Sequence, residues 1–226
     1  MNILDILKNN KKEIIISNIV IFYSTIFCYQ VPLILNLYFK IEPHKINLNF
    51  IDDKIPFFKF FIIFYICYYL HIYLLTIYIG ILNKESFYKY ISSSIISCTI
   101  GGFILLLFPT YFDFNNEIYS NDSLFDFIFN LLNNAKLQYN AFPSFHIIKT
   151  YLVFRYLYNL LEQRYYKILL IIITIFISLS TIFIKVHSVL DIIGSIFIVD
   201  FSIYITNKFN LKNKIEKFFN YFSKKY

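Results

Sequence analysis

The chain has 226 residues, 58% hydrophobic and 22% aromatic, with 15% charged residues and a mean hydropathy of +0.59. Ordinary soluble domains carry about 25% charged residues, so this chain lacks the polar surface of a water-facing globule, and its long apolar runs exclude a disordered one. The net charge of +7 raises nucleic acid as a partner, but the basic residues cluster beside apolar runs in a composition inflated in Asn, Ile, Lys, Tyr and Phe, so no nucleic-acid partner is expected.

Six runs are long enough to cross a bilayer, roughly 14–36, 57–81, 88–108, 144–161, 166–184 and 187–206. They predict an all-α polytopic membrane protein, with six transmembrane helices in one bundle over residues 1–226. No internal repeat or linker suggests a second domain. The first run is too long and Tyr-rich for a cleaved signal peptide and reads as a retained anchor. Cys28, Cys67 and Cys98 lie inside apolar runs with no CxxC pair, and read as packing residues.

Between the third and fourth runs lies the loop 109–143, with Asp113, Glu117, Asp122 and Asp126. Apolar residues recur at helical spacing over 123–134, which predicts a helix lying along the membrane surface. Lysine placement sets the orientation. Lys8, Lys11, Lys12, Lys84, Lys89, Arg164, Lys167, Lys208, Lys212, Lys214, Lys217, Lys224 and Lys225 fall on one side. The other side has only Lys40, Lys45, Lys54, Lys136 and Lys185. Basic loops stay inside, so both termini are expected in the cytoplasm and the 109–143 loop outside.

Of four histidines, His44 reads as a solvated loop residue, and His71 sits mid-span, either as a functional group or as a hydrogen bond to a neighbouring helix. In KVHSVLDIIGS (185–195), His187 and Asp191 are four apart and share a helical face. The pair is either a polar contact between helices or a nucleophile whose carboxylate fixes the ring tautomer. In NAFPSFH (140–146), Pro143 and Ser144 suit a helix start, whose free amides form an anion site. His146, one turn in, is either incidental to a capped helix start or placed to donate a proton there. The lysine-based topology puts His146 and His187 at the outer ends of their helices, at one depth.

With these two segments the sequence resembles the type 2 phosphatidic-acid phosphatase superfamily of membrane enzymes. PSFH (143–146) looks like its PSGH-type signature, and Ser180, His187 and Asp191 match its second signature. AFPSFH, KVHSVLD and IDDKIPFF (51–58) look like the branch related to inositolphosphorylceramide synthases and their bacterial relatives. The resemblance implies that His187 attacks phosphorus, Asp191 polarises it, and His146 protonates the departing oxygen and then activates water or an acceptor alcohol. It also implies that Ser144 and nearby amides hold phosphate oxygens.

Two family cations are missing. FPTYFDFNN (108–116) has no Arg-Pro, and Thr181 stands where the second signature has arginine. Lys185, then Lys149, are the candidate substitutes for phosphate binding, the alternative for each being a lysine that snorkels at the interface. Arg155 and Asp200 are expected to form a buried structural ion pair. The leading expectation is therefore a lipid phosphate phosphatase or phosphotransferase acting on a lipid phosphate or phospholipid at the extracytoplasmic leaflet. No carboxylate cluster is placed for a metal, and no metal or other cofactor is expected. The second reading is a catalytically degenerate member that binds lipid or acts structurally.

Overall fold

Lipid offers no partners to backbone N–H and C=O groups, so apolar segments of this length must pair internally as helices. The computed structural model describes residue 5 and residues 8–112, 124–134 and 139–223, and is predominantly helical. In chain order the helices are α1 (Lys11–Tyr38), the single turn α2 (Asn49–Asp52), α3 (Lys59–Leu82), α4 (Lys84–Leu107) and α5 (Leu124–Asn134). They continue as α6 (Phe145–Leu157), α7 (Arg164–Phe183), α8 (Val189–Lys208) and α9 (Leu211–Ser223). Helices α1, α3, α4, α7 and α8 are long and apolar enough to cross a membrane. Their outer faces carry rows of exposed apolar residues, such as Ile63, Ile66, Leu70 and Leu74 on α3 and Ile168, Ile172 and Ile175 on α7. Such rows suit hydrocarbon rather than water, and the chain is an integral membrane protein.

The run expected as the fourth span forms a shorter helix. Helix α6 has 13 residues, about 20 Å of rise against a hydrocarbon core of about 30 Å. It packs against α3, α4, α7 and α8 at once, and Ile148, Leu152 and Val153 are fully buried. Enclosed by helices, it does not have to match the bilayer, and its N-terminus opens inside the bundle.

Helix α4 is the main packing surface. Ser92, Ser93, Ser94, Ser97, Gly101 and Gly102 are all buried, and small residues let helices approach closely in lipid. Ser93 Oγ donates to Thr206 Oγ1 (2.9 Å) and lies 2.8 Å from Tyr156 Oη, joining α4, α8 and α6. In α1 the stretch Tyr23–Gln30 is π-helical. Pro32 has no N–H to give the Cys28 carbonyl, and that carbonyl faces Gly102 of α4.

The loops at the histidine end are tied by a short ladder. Strand β1 (His44–Lys45) pairs in parallel with β2 (Thr110–Tyr111), and Tyr111 bridges to Tyr139. The Phe142 N–H donates to Thr110 Oγ1 at 2.8 Å. The segment before α6 is thus held by the loops that follow α1 and α4. Helix α5 occupies nearly the expected 123–134, with Lys59 paired to Asp126 at 2.6 Å. Asp113, Glu117, Asp122, Lys136, Lys224 and Lys225 lie outside the described residues.

One element is new and one expectation changes. The tail after α8 forms a further helix, α9, fixed to α4 by Lys212 and Glu85 at 2.9 Å and by burial of Phe219. Arg155 and Asp200 do pair across α6 and α8, joined by Tyr151, but their side chains are 37% and 47% exposed. The pair sits on the outer face because α8 packs inward through Ser195, Ile198, Val199 and Ser202, which turns Asp200 away from the interior.

Candidate active site

Helix α7 ends in a Schellman turn: Val186 N–H donates to the Thr181 carbonyl (3.1 Å) and Lys185 N–H to that of Ile182 (2.9 Å). Lys185 occupies the left-handed position, with φ 58°. The turn reverses the chain and leaves His187 directly before α8. There Ser188 is the N-cap, and Asp191, at the third helical position, completes a capping box. Asp191 Oδ2 accepts the Ser188 N–H at 3.0 Å and lies 2.9 Å from His187 Nδ1. With a carboxylate as its acceptor, Nδ1 carries the ring proton and Nε2 the free lone pair. Asp191 is fully buried, so this contact is poorly screened by water.

Helix α6 begins differently. Ser144 is its N-cap, yet no side chain caps the helix. Ser144 Oγ and His146 Nε2 are buried with no partner among the described residues. Ser195 Oγ of α8 donates to the Ser144 carbonyl at 3.1 Å, which locks the start of α6 to the helix carrying Asp191. The His146 ring stacks on Tyr65 at 4.3 Å and lies 4.2 Å from Tyr68.

The two imidazoles meet. Their ring centroids are 6.1 Å apart, with the planes inclined at 59°. Both rings line a cavity of about 100 Å³ together with Lys149, Tyr29, Tyr65, Tyr68 and Tyr69, and with Thr25 and Gln30 of α1. Thr25 and Tyr69 are exposed on the outside of the bundle, so the cavity borders the lipid-facing surface.

The candidate cations separate. Lys185 is turned from the cavity, because its ammonium donates to the Asp52 carbonyl at 2.7 Å. Partial burial holds its pKa below the usual lysine range, although the Asp52 and Asp53 carboxylates pull it upward. Lys149 lines the cavity, is 5% exposed, and forms no ion pair with an acidic side chain among the described residues. Of the two candidates expected from the sequence, Lys149 thus lines the cavity, while the Schellman turn directs Lys185, the first in that order, toward Asp52. Ser144 lies beside the cavity rather than among its lining residues.

Sequence reasoning passed over several of these groups. The first run reads from the sequence only as an anchor, and Tyr29, Tyr65, Tyr68 and Tyr69 receive no role there. Asp52, noted only within IDDKIPFF, is 1% exposed and bonded to the start of α8. A carboxylate one turn before Ile-Pro was the available signal, but it named no partner.

A helical membrane protein that brings two histidines together, one backed by a buried carboxylate, is the class that this fold and site define. A family model of the PAP2 superfamily matches residues 35–205 and includes both histidine segments. The chain belongs to the PAP2 superfamily. Membership supports a phosphatase-type activity on lipid phosphates at the level of the family. No curated protein and no solved structure matches the chain. Thr25, Tyr29 and Gln30 lie before the matched residues, so that wall of the cavity is outside the family match.

Proposed function

We propose that the protein is a metal-independent lipid phosphate phosphatase or lipid phosphotransferase that acts through a phosphohistidine. The observation that carries this reading is the 6.1 Å separation of the His146 and His187 rings, with Asp191 behind the latter. Rings this close can both reach a single phosphoryl group, one as attacking nitrogen and the other as proton donor to the departing oxygen.

His187 Nε2 attacks phosphorus while Nδ1–H stays on Asp191. The N–P bond forms as the bond to the lipid oxygen breaks, and protonated His146 gives that oxygen its proton. Neutral His146 then takes a proton from water or an acceptor alcohol, whose oxygen displaces His187. The uncapped start of α6, the free Ser144 hydroxyl and the Lys149 ammonium supply the positive field for the phosphate oxygens. Lys149 takes the place of the two absent arginines as a point charge rather than a bidentate fork.

Thr25 and Tyr69 at the rim, exposed on the lipid-facing side, favour a substrate already in the bilayer. The lysine distribution favours the extracytoplasmic leaflet, with both termini in the cytoplasm. AFPSFH and KVHSVLD favour the inositolphosphorylceramide-synthase-like branch. The test is phosphate release and headgroup transfer by detergent-solubilised protein with EDTA present, using short-chain phosphatidic acid, an isoprenyl pyrophosphate and a phospholipid with an acceptor alcohol. Activity lost in His187→Ala supports the reading. Wild-type protein no more active than that variant on every substrate would leave a degenerate, lipid-binding member.

A further inference from the structure

The outer loop after α1 reaches across the bundle to the residue beside the proposed nucleophile. Asp52 ends the single turn α2, and its Oδ2 accepts the N–H of Leu48, the residue before that turn, at 2.7 Å. The carboxylate also leaves its own loop: Oδ2 accepts the Ser188 hydroxyl at 2.6 Å and Oδ1 the Val189 N–H at 3.0 Å. Its backbone carbonyl takes the Lys185 ammonium. Asp52 therefore grips both sides of His187 without touching the ring. Ser188 in turn donates its N–H to Asp191, the carboxylate that holds His187 Nδ1.

We propose that Asp52 is a positioning residue for His187, fixing ring direction and tautomer through Ser188. The Asp191 contact alone does not fix the ring, because a single hydrogen bond leaves rotation about it open. Charge-assisted bonds to a carboxylate are about twice as strong as neutral ones, and Asp52 makes three of them from a buried position. The first amides of α8 are thereby saturated: Ser188 by Asp191, Val189 by Asp52 and Leu190 by Ser188 Oγ at 3.1 Å. Phosphate is left to the uncapped start of α6. The two histidine-bearing helix ends divide the work, one spent on orientation and one open to the anion.

The proposal's catalytic meaning rests on the function proposed above, but its structural content does not. The four histidines of the chain allow a direct test: ring-labelled histidine in detergent micelles gives four assignable NMR signals. Asp52→Asn keeps the volume but replaces one acceptor oxygen by a donor. The expected result is a shifted or exchange-broadened His187 signal with the mid-span His71 unmoved, and kcat lowered about tenfold or more at nearly constant KM. Ser188→Ala, which deletes only the hydroxyl, serves as a second variant should Asp52→Asn fail to fold, and should move the same signal. A His187 signal unchanged in the folded variants, or His71 moving as much as His187, would overturn the proposal. If wild-type protein turns over no lipid phosphate, the enzyme reading fails while the histidine spectra still decide the role of Asp52.

Discussion

The rings of His146 and His187 stand 6.1 Å apart, delivered by the starts of two helices whose N-termini are treated oppositely by the rest of the chain. His187 has a carboxylate on Nδ1, whereas His146 Nε2 has no partner among the described residues. This asymmetry predicts different rescue behaviour. His187→Gln should abolish turnover of every substrate, since it removes the proposed nucleophile. His146→Gln should slow a lipid phosphate by about 10²–10⁴ but a p-nitrophenyl phosphate far less in the phosphorylation step, because that leaving group needs no proton. Burst kinetics on the two substrates measure the difference, and equal losses would contradict the division of roles.

Lys149 and Lys185 separate in the same way. Lys149→Met preserves the stem and removes the only lysine charge among the described cavity-lining residues. It should raise KM for a lipid phosphate and lower kcat/KM about 10²-fold or more, the scale of losing one charge-stabilising donor. Lys185→Gly should cost much less. It loses one hydrogen bond to the Asp52 carbonyl but relieves a left-handed residue, a strain of about 1–2 kcal/mol. Comparison of kcat/KM for the two variants tests the assignment, and a greater loss from Lys185→Gly would reverse it.

The fold was legible to the extent that hydropathy governs it. Five long helices fall close to the expected runs, because lipid leaves the backbone no alternative. The amphipathic stretch gave α5 in the same way. Helix α6 was overextended, because apolar residues that face protein and those that face lipid look alike in one sequence. The two-residue strands carry no periodicity long enough to read. Local chemistry was visible where its partners are four residues apart, as with His187 and Asp191. It was invisible where partners are distant, as with Asp52 and Ser188, or where a turn redirects a side chain, as with Lys185. Helix α9 was missed because its polar face resembles a basic tail.

Arg155 and Asp200 face outward from α6 and α8, where a membrane puts hydrocarbon around them. Removing one partner strands a charge in lipid, whereas removing both leaves an ordinary apolar face. Arg155→Met and Asp200→Leu alone should each destabilise the folded protein by about 2–3 kcal/mol, the cost scale for a charge in a spanning helix. The double variant should come within about 1 kcal/mol of wild type. Unfolding in mixed micelles gives the cycle, and additive losses would mean that the two charges act independently. Activity should follow stability, since neither side chain lines the cavity.

Gly102 meets α1 at its π-helical stretch. A β-carbon there would lie 2.8 Å from the Cys28 carbonyl oxygen and 3.0 Å from its Cα, backbone atoms with no rotamer to escape into. Gly102→Ala must therefore push α1 from α4, straining neighbouring ties such as Asn36 Nδ2 to the Leu105 carbonyl at 2.8 Å and Tyr23 Oη to Thr99 Oγ1 at 2.9 Å. Overpacking of this kind costs about 1–3 kcal/mol. Because Thr25, Tyr29 and Gln30 of the same π-helical stretch wall the cavity, displacement of α1 should also loosen the wall opposite the histidines. Gly102→Ala is expected to lower the unfolding midpoint and raise KM for a lipid phosphate, with phosphohistidine still formed. Cys28→Ala, which trims the neighbouring side chain but leaves the carbonyl, should not rescue it. Restoration by Cys28→Ala would place the clash on the side chain instead of the backbone.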